Sequence, residues 1–168
     1  MTFAEFKKSI RADIIANTNN SKGLIICTAY RTAAYLHRLY NRNRLAGFFC
    51  LPILFIYKIV IDYIMGVYIP PEAEIGKGLT VYHGVGLVVH PASIIGEYCV
   101  LRQGVTIGSR DGSQNSVPVI GSKVSIGAMA VLIGNIHIGD GAVIGAASVV
   151  LDDVPPLGKA VGNPASIR

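Results

Sequence analysis

Along residues 75–155 apolar side chains return at every sixth position. Neither an α-helix nor a lone β-strand has that period. In register the chain reads IGKGLT, VYHGVG, LVVHPA, SIIGEY, CVLRQG, VTIG and, after an interruption, IGSKVS, IGAMAV, LIGNIH, IGDGAV, IGAASV, VLDDVP. Ten of the twelve first-column residues are branched aliphatics, and the exceptions, Ser93 and Cys99, are small. Six residues of α-helix advance about 600°, so such a column would spiral off any one helical face. A triangular coil keeps it together. If each hexapeptide is one short strand plus a turn, three close a coil of about eighteen residues, and the column stacks inward between coils roughly 4.8 Å apart. The pattern predicts a mainly β protein, a parallel β-helix. Glycine follows the aliphatic residue at Ile75-Gly76, Ile120-Gly121, Ile126-Gly127, Ile138-Gly139 and Ile144-Gly145, and is expected to permit the tight corners. The register slips between Val105 and Ile120. About nine extra residues, within "GSRDGSQNSVP", should bulge out as an exposed loop near 109–118, the kind of place where function sits on a rigid scaffold.

Upstream the period changes. Phe3, Phe6, Ile10 and Ile14, then Leu24, Cys27 and Ala34, recur at three- and four-residue spacing, which predicts helices. The run "LAGFFCLPILFIYKIVIDYIMG" is apolar almost all round, and Pro52 should start or kink a helix there. A composition shift near Gly66 to Pro71 separates an N-terminal helical segment, 1–66, from the β-helix, 67–168. Residues 45–66 are about long enough to span a bilayer, yet Lys58 and Asp62 lie within them. Three readings stay open: a helix buried in a helical cap or trimer, a peripheral membrane contact, and a span.

Charge and cysteine content narrow the classes. The net charge is +5, and between Asp13 and Asp62 every charged residue is basic: Lys22, Arg31, Arg38, Arg42, Arg44 and Lys58. That suits an anionic surface. These residues are not interleaved with aromatics in any nucleic-acid-binding motif, so no nucleic-acid partner is expected. Cys27, Cys50 and Cys99 are odd in number and unrelated in spacing, which disfavours a disulfide framework or a structural zinc site. The start "MTFAEFKKSIRADIIANTNN" has no apolar signal-peptide core, so the expected compartment is the cytoplasm, with contact at the inner membrane face open.

Several stretches together carry a family resemblance: "AYR" at 29–31, "IGKGLTVYHGVGLVV" at 75–89, "LRQGVTIG" at 101–108, "IGAMAVLIGNIHIGDGAVIGAASVVLDDVP" at 126–155 and "GNPAS" at 162–166. They resemble the hexapeptide-repeat acyltransferases, in the branch of serine acetyltransferases and small polysaccharide O-acetyltransferases. The resemblance implies a left-handed parallel β-helix with an N-terminal α-helical segment, a homotrimer, and acetyl-CoA as co-substrate without a metal. It gives the catalytic role to His83, in the turn His83-Gly84-Val85-Gly86, as general base toward an acceptor hydroxyl, with backbone amides at the glycine corner holding the oxyanion. On the acetyl-CoA side it implies Gly108, Ser109, Ala128, Ala146, Asn163 and Pro164. Acceptor contacts fall to Tyr82, Tyr68 and Arg102.

The chain departs from the serine enzymes where they carry carboxylates. Tyr68 stands where an aspartate pairs with the catalytic histidine, and Tyr82 where an aspartate binds serine; Ser116-Val117 replaces an Arg-His pair. Glu72, Glu74, a tyrosine, a carbonyl or a neighbouring subunit is left to orient His83. Losing a charge-assisted contact to the amino acid's carboxylate argues against free serine as acceptor. The expected function is therefore O-acetylation of a sugar hydroxyl in surface polysaccharide biosynthesis, with serine O-acetylation as the alternative. A β-helix zinc enzyme is a weaker reading, because His83, His90 and His137 lack that family's ligand spacing. A non-catalytic scaffold is another. His90 reads as a surface or trimer contact, His137 as a solvated corner, His37 as part of the helical segment, and Cys99 as core.

Overall fold

The computed structural model describes residues 2–43, 47–114 and 116–168. Arg44, singled out for its charge, lies outside them. Two helices, α1 (Phe3–Ala16) and α2 (Ser21–Arg42), precede a third, α3 (Leu51–Tyr57), which continues as π-helix over Lys58–Ile64. Thr2 opens α1 with a capping box, Asn20 caps α2 by accepting from the Gly23 amide, and Pro52 falls in the first turn of α3, where its missing N–H costs nothing.

From Glu74 the chain winds through short strands that form three faces of a left-handed parallel β-helix. The first face stacks β1 (Glu74–Ile75), β4 (Ile94–Ile95), β7 (Val119–Ile120) and β10 (His137–Ile138). The second stacks β2 (Thr80–Tyr82), β5 (Val100–Arg102), β8 (Ser125–Ile126), β11 (Val143–Ile144) and β13 (Lys159–Gly162). The third stacks β3 (Val88–Val89), β6 (Thr106–Gly108), β9 (Val131–Ile133) and β12 (Val149–Val150). The antiparallel strand β14 (Ala165–Ile167) folds back on β13.

Every first-column residue is buried, but the column is not one structural position. Val88 pairs with Thr106 and Val119 with His137, a regular eighteen residues on; Ile75 pairs with Ile95 and Val81 with Leu101, twenty on. Two extra residues sit in the turn that holds His83. From there to the loop the inward strand residues are Val89, Ile95, Leu101 and Ile107, while Leu87, Ser93, Cys99 and Val105 fill the corners. Both positions point inward, so a pattern of apolar residues does not distinguish them. Across the loop Ile95 pairs with Ile120, twenty-five on, so the insertion is seven residues and not nine. Val117 and Pro118, expected in the exposed loop, are buried; the exposed stretch is 110–114.

The glycines after the aliphatic column serve a different purpose from the one expected. Gly76 does not adopt positive φ; a Cβ there would lie 2.6 Å from the Glu97 amide and Gly96 backbone of the next coil. Close approach of stacked coils is the requirement. Left-handed backbone falls elsewhere, at Gly86, Gly104, Met129 and Ala147 along one edge and at Gly78, Tyr98, Lys123 and Gly141 along another.

The helices and coils share one contiguous core, with Ile26, Cys27, Tyr30, Tyr57 and Ile61 packing among the β-helix residues. The apolar stripe read for α1 is only partly confirmed: Phe3 and Ile14 are exposed, and the residue α1 buries is Asp13. Its carboxylate accepts from Arg31 Nε at 2.7 Å, Gly78 N at 2.7 Å and Leu79 N at 3.0 Å, while Arg31 donates onward to the Ile75 and Gly76 carbonyls. Arg31 is thus internal and not part of a basic surface. Burial pushes the Asp13 carboxyl above its ordinary range, opposed by Arg31 and the two amides. Among the described residues no helix is long and apolar enough to cross a membrane.

Candidate active site

His83 stands exposed at the edge between the second and third faces, immediately after β2, with φ of 65°. The left-handed position that Gly104, Met129 and Ala147 repeat on successive coils is that of Gly86, so the positive φ of His83 is particular to the inserted turn. Amide-to-carbonyl bonds run down this edge: Gly86 to Gly66, Gly104 to Val85, Met129 to Gln103 and Ala147 to Ala128.

The helical segment holds the strand that leads into the turn. Asn17 Nδ2 donates to the Leu79 carbonyl and Asn20 Nδ2 to that of Val81, both at 2.8 Å. These two asparagines, in the polar "NTNN" between the helices, were not singled out from the sequence. The signal was present: two amides spaced to join a helix end to a β-strand edge. Gly84 completes the contact, since a Cβ there would lie 2.7 Å from Ile26 Cδ1 of α2.

Tyr82 and Arg102 are cross-strand partners, with the guanidinium 5.7 Å from the ring centroid. Arg102 Nη1 is anchored to Ser125 Oγ at 3.2 Å and to the Ile126 carbonyl at 3.1 Å, so the cation is held over the ring beside His83. Tyr68 bridges to Val88, its amide donating to the Leu87 carbonyl just past the turn. All three residues proposed for the acceptor therefore adjoin the His83 turn. The two glutamates do not join them. Glu72 lies 3.7 Å from His37, and Glu74 lines a separate cleft with Lys8, Arg31 and Arg38.

The amides of Gly84, Val85 and Gly86 are all committed to carbonyls, of Tyr82, His83 and Gly66, so these three are not free donors for an oxyanion. A tight turn satisfies its own amides, which the glycine pattern does not reveal. At the same edge one coil on, Gln103 Oε1 is shielded from solvent without a hydrogen-bond partner, an unspent acceptor that sequence reasoning missed.

The residues expected on the acetyl-CoA side divide into three places. Ala128 and Ala146 occupy the His83 edge two and three coils on, roughly 10 and 14 Å along the axis. Gly108 and Ser109 lie at the far edge of the third face, where Ser109 Oγ donates to Asp111 at 2.9 Å as the loop begins. Asn163 and Pro164 form the tip of the β13–β14 hairpin. His90 is turned onto its own backbone, Nδ1 accepting from the Ala92 amide, and His137 is exposed near Asp153. All three cysteines are buried, and burial raises the thiols of Cys27 and Cys99. Among the described residues no three His, Cys, Asp or Glu side chains converge as metal ligands.

Comparison with known proteins bears on the chain and its fold. The profile of the bacterial transferase hexapeptide family (six repeats) matches residues 118–152. A protein described as a colanic acid biosynthesis acetyltransferase, WcaB of Escherichia coli K12, is 33% identical over 156 residues, covering 93% of this chain and 96% of the relative. Soybean serine acetyltransferase, solved in complex with serine, superposes with a TM-score of 0.84 at 36% identity, over 98% of this chain and 70% of its own. A serine acetyltransferase in complex with CoA superposes with a TM-score of 0.79 at 32% identity, over 99% of this chain and 71% of its own.

Proposed function

The chain belongs to the hexapeptide-repeat acetyltransferases of the serine acetyltransferase and WcaB type, and from that premise we propose that it transfers acetyl from acetyl-CoA to a sugar hydroxyl during surface polysaccharide synthesis. The observation that carries the acceptor assignment is the Tyr82–Arg102 pair beside His83. An aromatic face backed by a fixed cation suits a sugar ring, and tyrosines stand at 68 and 82, where the resemblance to the serine enzymes expects carboxylates. The near-complete coverage of WcaB supports the same reading.

In the proposed reaction the imidazole of His83 takes the proton of the acceptor hydroxyl as that oxygen attacks the thioester carbonyl. The tetrahedral intermediate collapses with cleavage of the C–S bond, and the imidazolium returns the proton to the departing thiolate of coenzyme A. General-base assistance of this kind contributes about 10²- to 10⁴-fold. No covalent enzyme intermediate is needed. Oxyanion donors come from groups other than the amides of Gly84, Val85 and Gly86.

The acetyl-CoA groove is proposed to run from His83 along the edge past Ala128 and Ala146, closed by a second subunit of a homotrimer that brings its Gly108–Ser109 loop base or its Asn163–Pro164 hairpin. Supporting this, Val85 and Met129 on the edge are 60% and 61% exposed and would be covered by a neighbour.

Serine acetylation is the second reading, favoured by the fold match to the serine-bound soybean enzyme. Coenzyme A release by wild type and His83→Ala is the test. Loss of turnover by about two to four orders of magnitude, with an unchanged circular dichroism spectrum, is expected; full activity in the variant would remove His83 from the mechanism, and no turnover by the wild type would leave a scaffold.

A further inference from the structure

The helix formed by α3 and its π continuation is apolar almost all round, yet only Tyr57 and Ile61 are buried. The expected buried helix is therefore not what a single chain contains. Phe49, Ile53, Ile56, Val60 and Ile64 recur every three or four residues and all stay exposed, Phe49 by 80%. Ile53, Ile56 and Val60 form one wall of an open groove of about 660 Å³; Ile14 and Ile25 line the same groove, with Ala29 of α2. That surface offers apolar contact and almost no hydrogen-bonding groups.

Charge indicates what covers it. Residues 1–66 hold nine Lys and Arg against three Asp and Glu, a net +6, whereas residues 67–168 hold six against seven, a net −1. The internal Asp13–Arg31 pair cancels, while Lys7, Lys8, Arg11, Lys22, Arg42 and Lys58 are exposed. Lys22, exposed, lies three residues before the groove residue Ile25 on α2; Arg42 and Lys58, also exposed, line neighbouring clefts of the same helical segment, Lys58 beside Asp62. Pairing this face with a second copy would bring two net-positive helical segments together, which charge repulsion opposes. An anionic surface that can also accept apolar side chains meets both requirements.

We propose that this face docks on an anionic lipid bilayer, with the α3 residues seated among the headgroups and acyl chain ends and the basic residues against lipid phosphates. The helix lies in the interface and does not cross, in keeping with its length and with Lys58 and Asp62 along it. The docking stands apart from which hydroxyl is acetylated.

Flotation of the full chain with phosphatidylcholine vesicles, with and without about 30% phosphatidylglycerol, reads it directly. The chain should float with the anionic vesicles and only weakly with neutral ones, and should be released by about 0.5 M salt, where screening is strong. The triple variant Phe49→Ser, Ile53→Ser, Ile56→Ser should keep its circular dichroism spectrum and float about tenfold less. Three results would overturn the proposal: no flotation of the wild type with anionic vesicles, equal flotation of the triple variant, or wild-type chain that never floats and forms an assembly the variant splits in sedimentation. The last assigns the face to a second copy. Flotation needs no acetyl acceptor, so its outcome is independent of the transfer assay.

Discussion

Truncating Arg31 to alanine would strand the Asp13 carboxylate, 0% exposed, with only the Gly78 and Leu79 amides as donors, and would leave the Ile75 and Gly76 carbonyls without their guanidinium. Breaking a buried ion pair from one side costs about 3–5 kcal/mol, because the remaining charge keeps its desolvation penalty. For a chain of this size each kcal/mol moves the melting point by about 2–4 °C, so Tm should fall by roughly 6–20 °C. Asp13→Asn keeps the shape and one acceptor oxygen, and its loss should be smaller, about 1–3 kcal/mol. Thermal unfolding followed by far-ultraviolet circular dichroism measures both, at one fixed concentration because assembly shifts Tm. A drop below about 2 °C for Arg31→Ala would refute the reasoning, since it would mean the pair contributes nothing beyond its own desolvation. The pair also ties α1 and α2 to the first coil, so Arg31→Ala should lose activity at lower temperature than the wild type.

Gly84→Ala combines a φ of 72° with a Cβ 2.7 Å from Ile26 Cδ1, and should cost about 1–3 kcal/mol and lower kcat by displacing the His83 turn. Adding Ile26→Val removes the clashing carbon and should recover part of both losses; no recovery would place the cost in the backbone alone. Asp111, held down to about 2 by the Ser113 amide and the Ser109 and Ser113 side chains, has a folded pKa below its unfolded value of about 3.9. Its contribution to loop order is therefore present above about pH 4 and lost as pH falls toward 2, which the Ser113 amide resonance would report. Arg102→Leu should raise KM for the acceptor while leaving KM for acetyl-CoA unchanged; equal rises in both would remove Arg102 from the acceptor side.

The repeat fold was legible because a six-residue aliphatic period has few structural solutions, and glycine at close coil contacts reinforces it. What the period could not reveal was the phase. Inward corner and inward strand positions are both apolar, so the two-residue insertion at the His83 turn passed unseen between Val81 and Leu87. His83, Tyr82 and Arg102 could each be named from the sequence by resemblance, but the pairing of Tyr82 with Arg102 could not, because it exists only through the two-residue insertion that moves the register from eighteen to twenty. The support of the site was not legible either. Asn17 and Asn20 act across about sixty residues of sequence, and nothing in local patterning announces that a polar inter-helix turn will hold the carbonyls of Leu79 and Val81. The occupied amides of Gly84, Val85 and Gly86 were hidden for a similar reason, because glycine content reports backbone freedom and not where the hydrogen bonds go.

Acceptor choice is the central claim. Purified enzyme, acetyl-CoA and a panel of nucleotide-linked and lipid-linked sugars beside L-serine at about millimolar concentration, near typical KM values, would test it in one experiment, with coenzyme A release followed by mass spectrometry of the products. A sugar bearing a new O-acetyl group, dependent on His83 and with negligible turnover of serine, is the predicted result. Efficient formation of O-acetylserine, with no sugar acetylated, would contradict it.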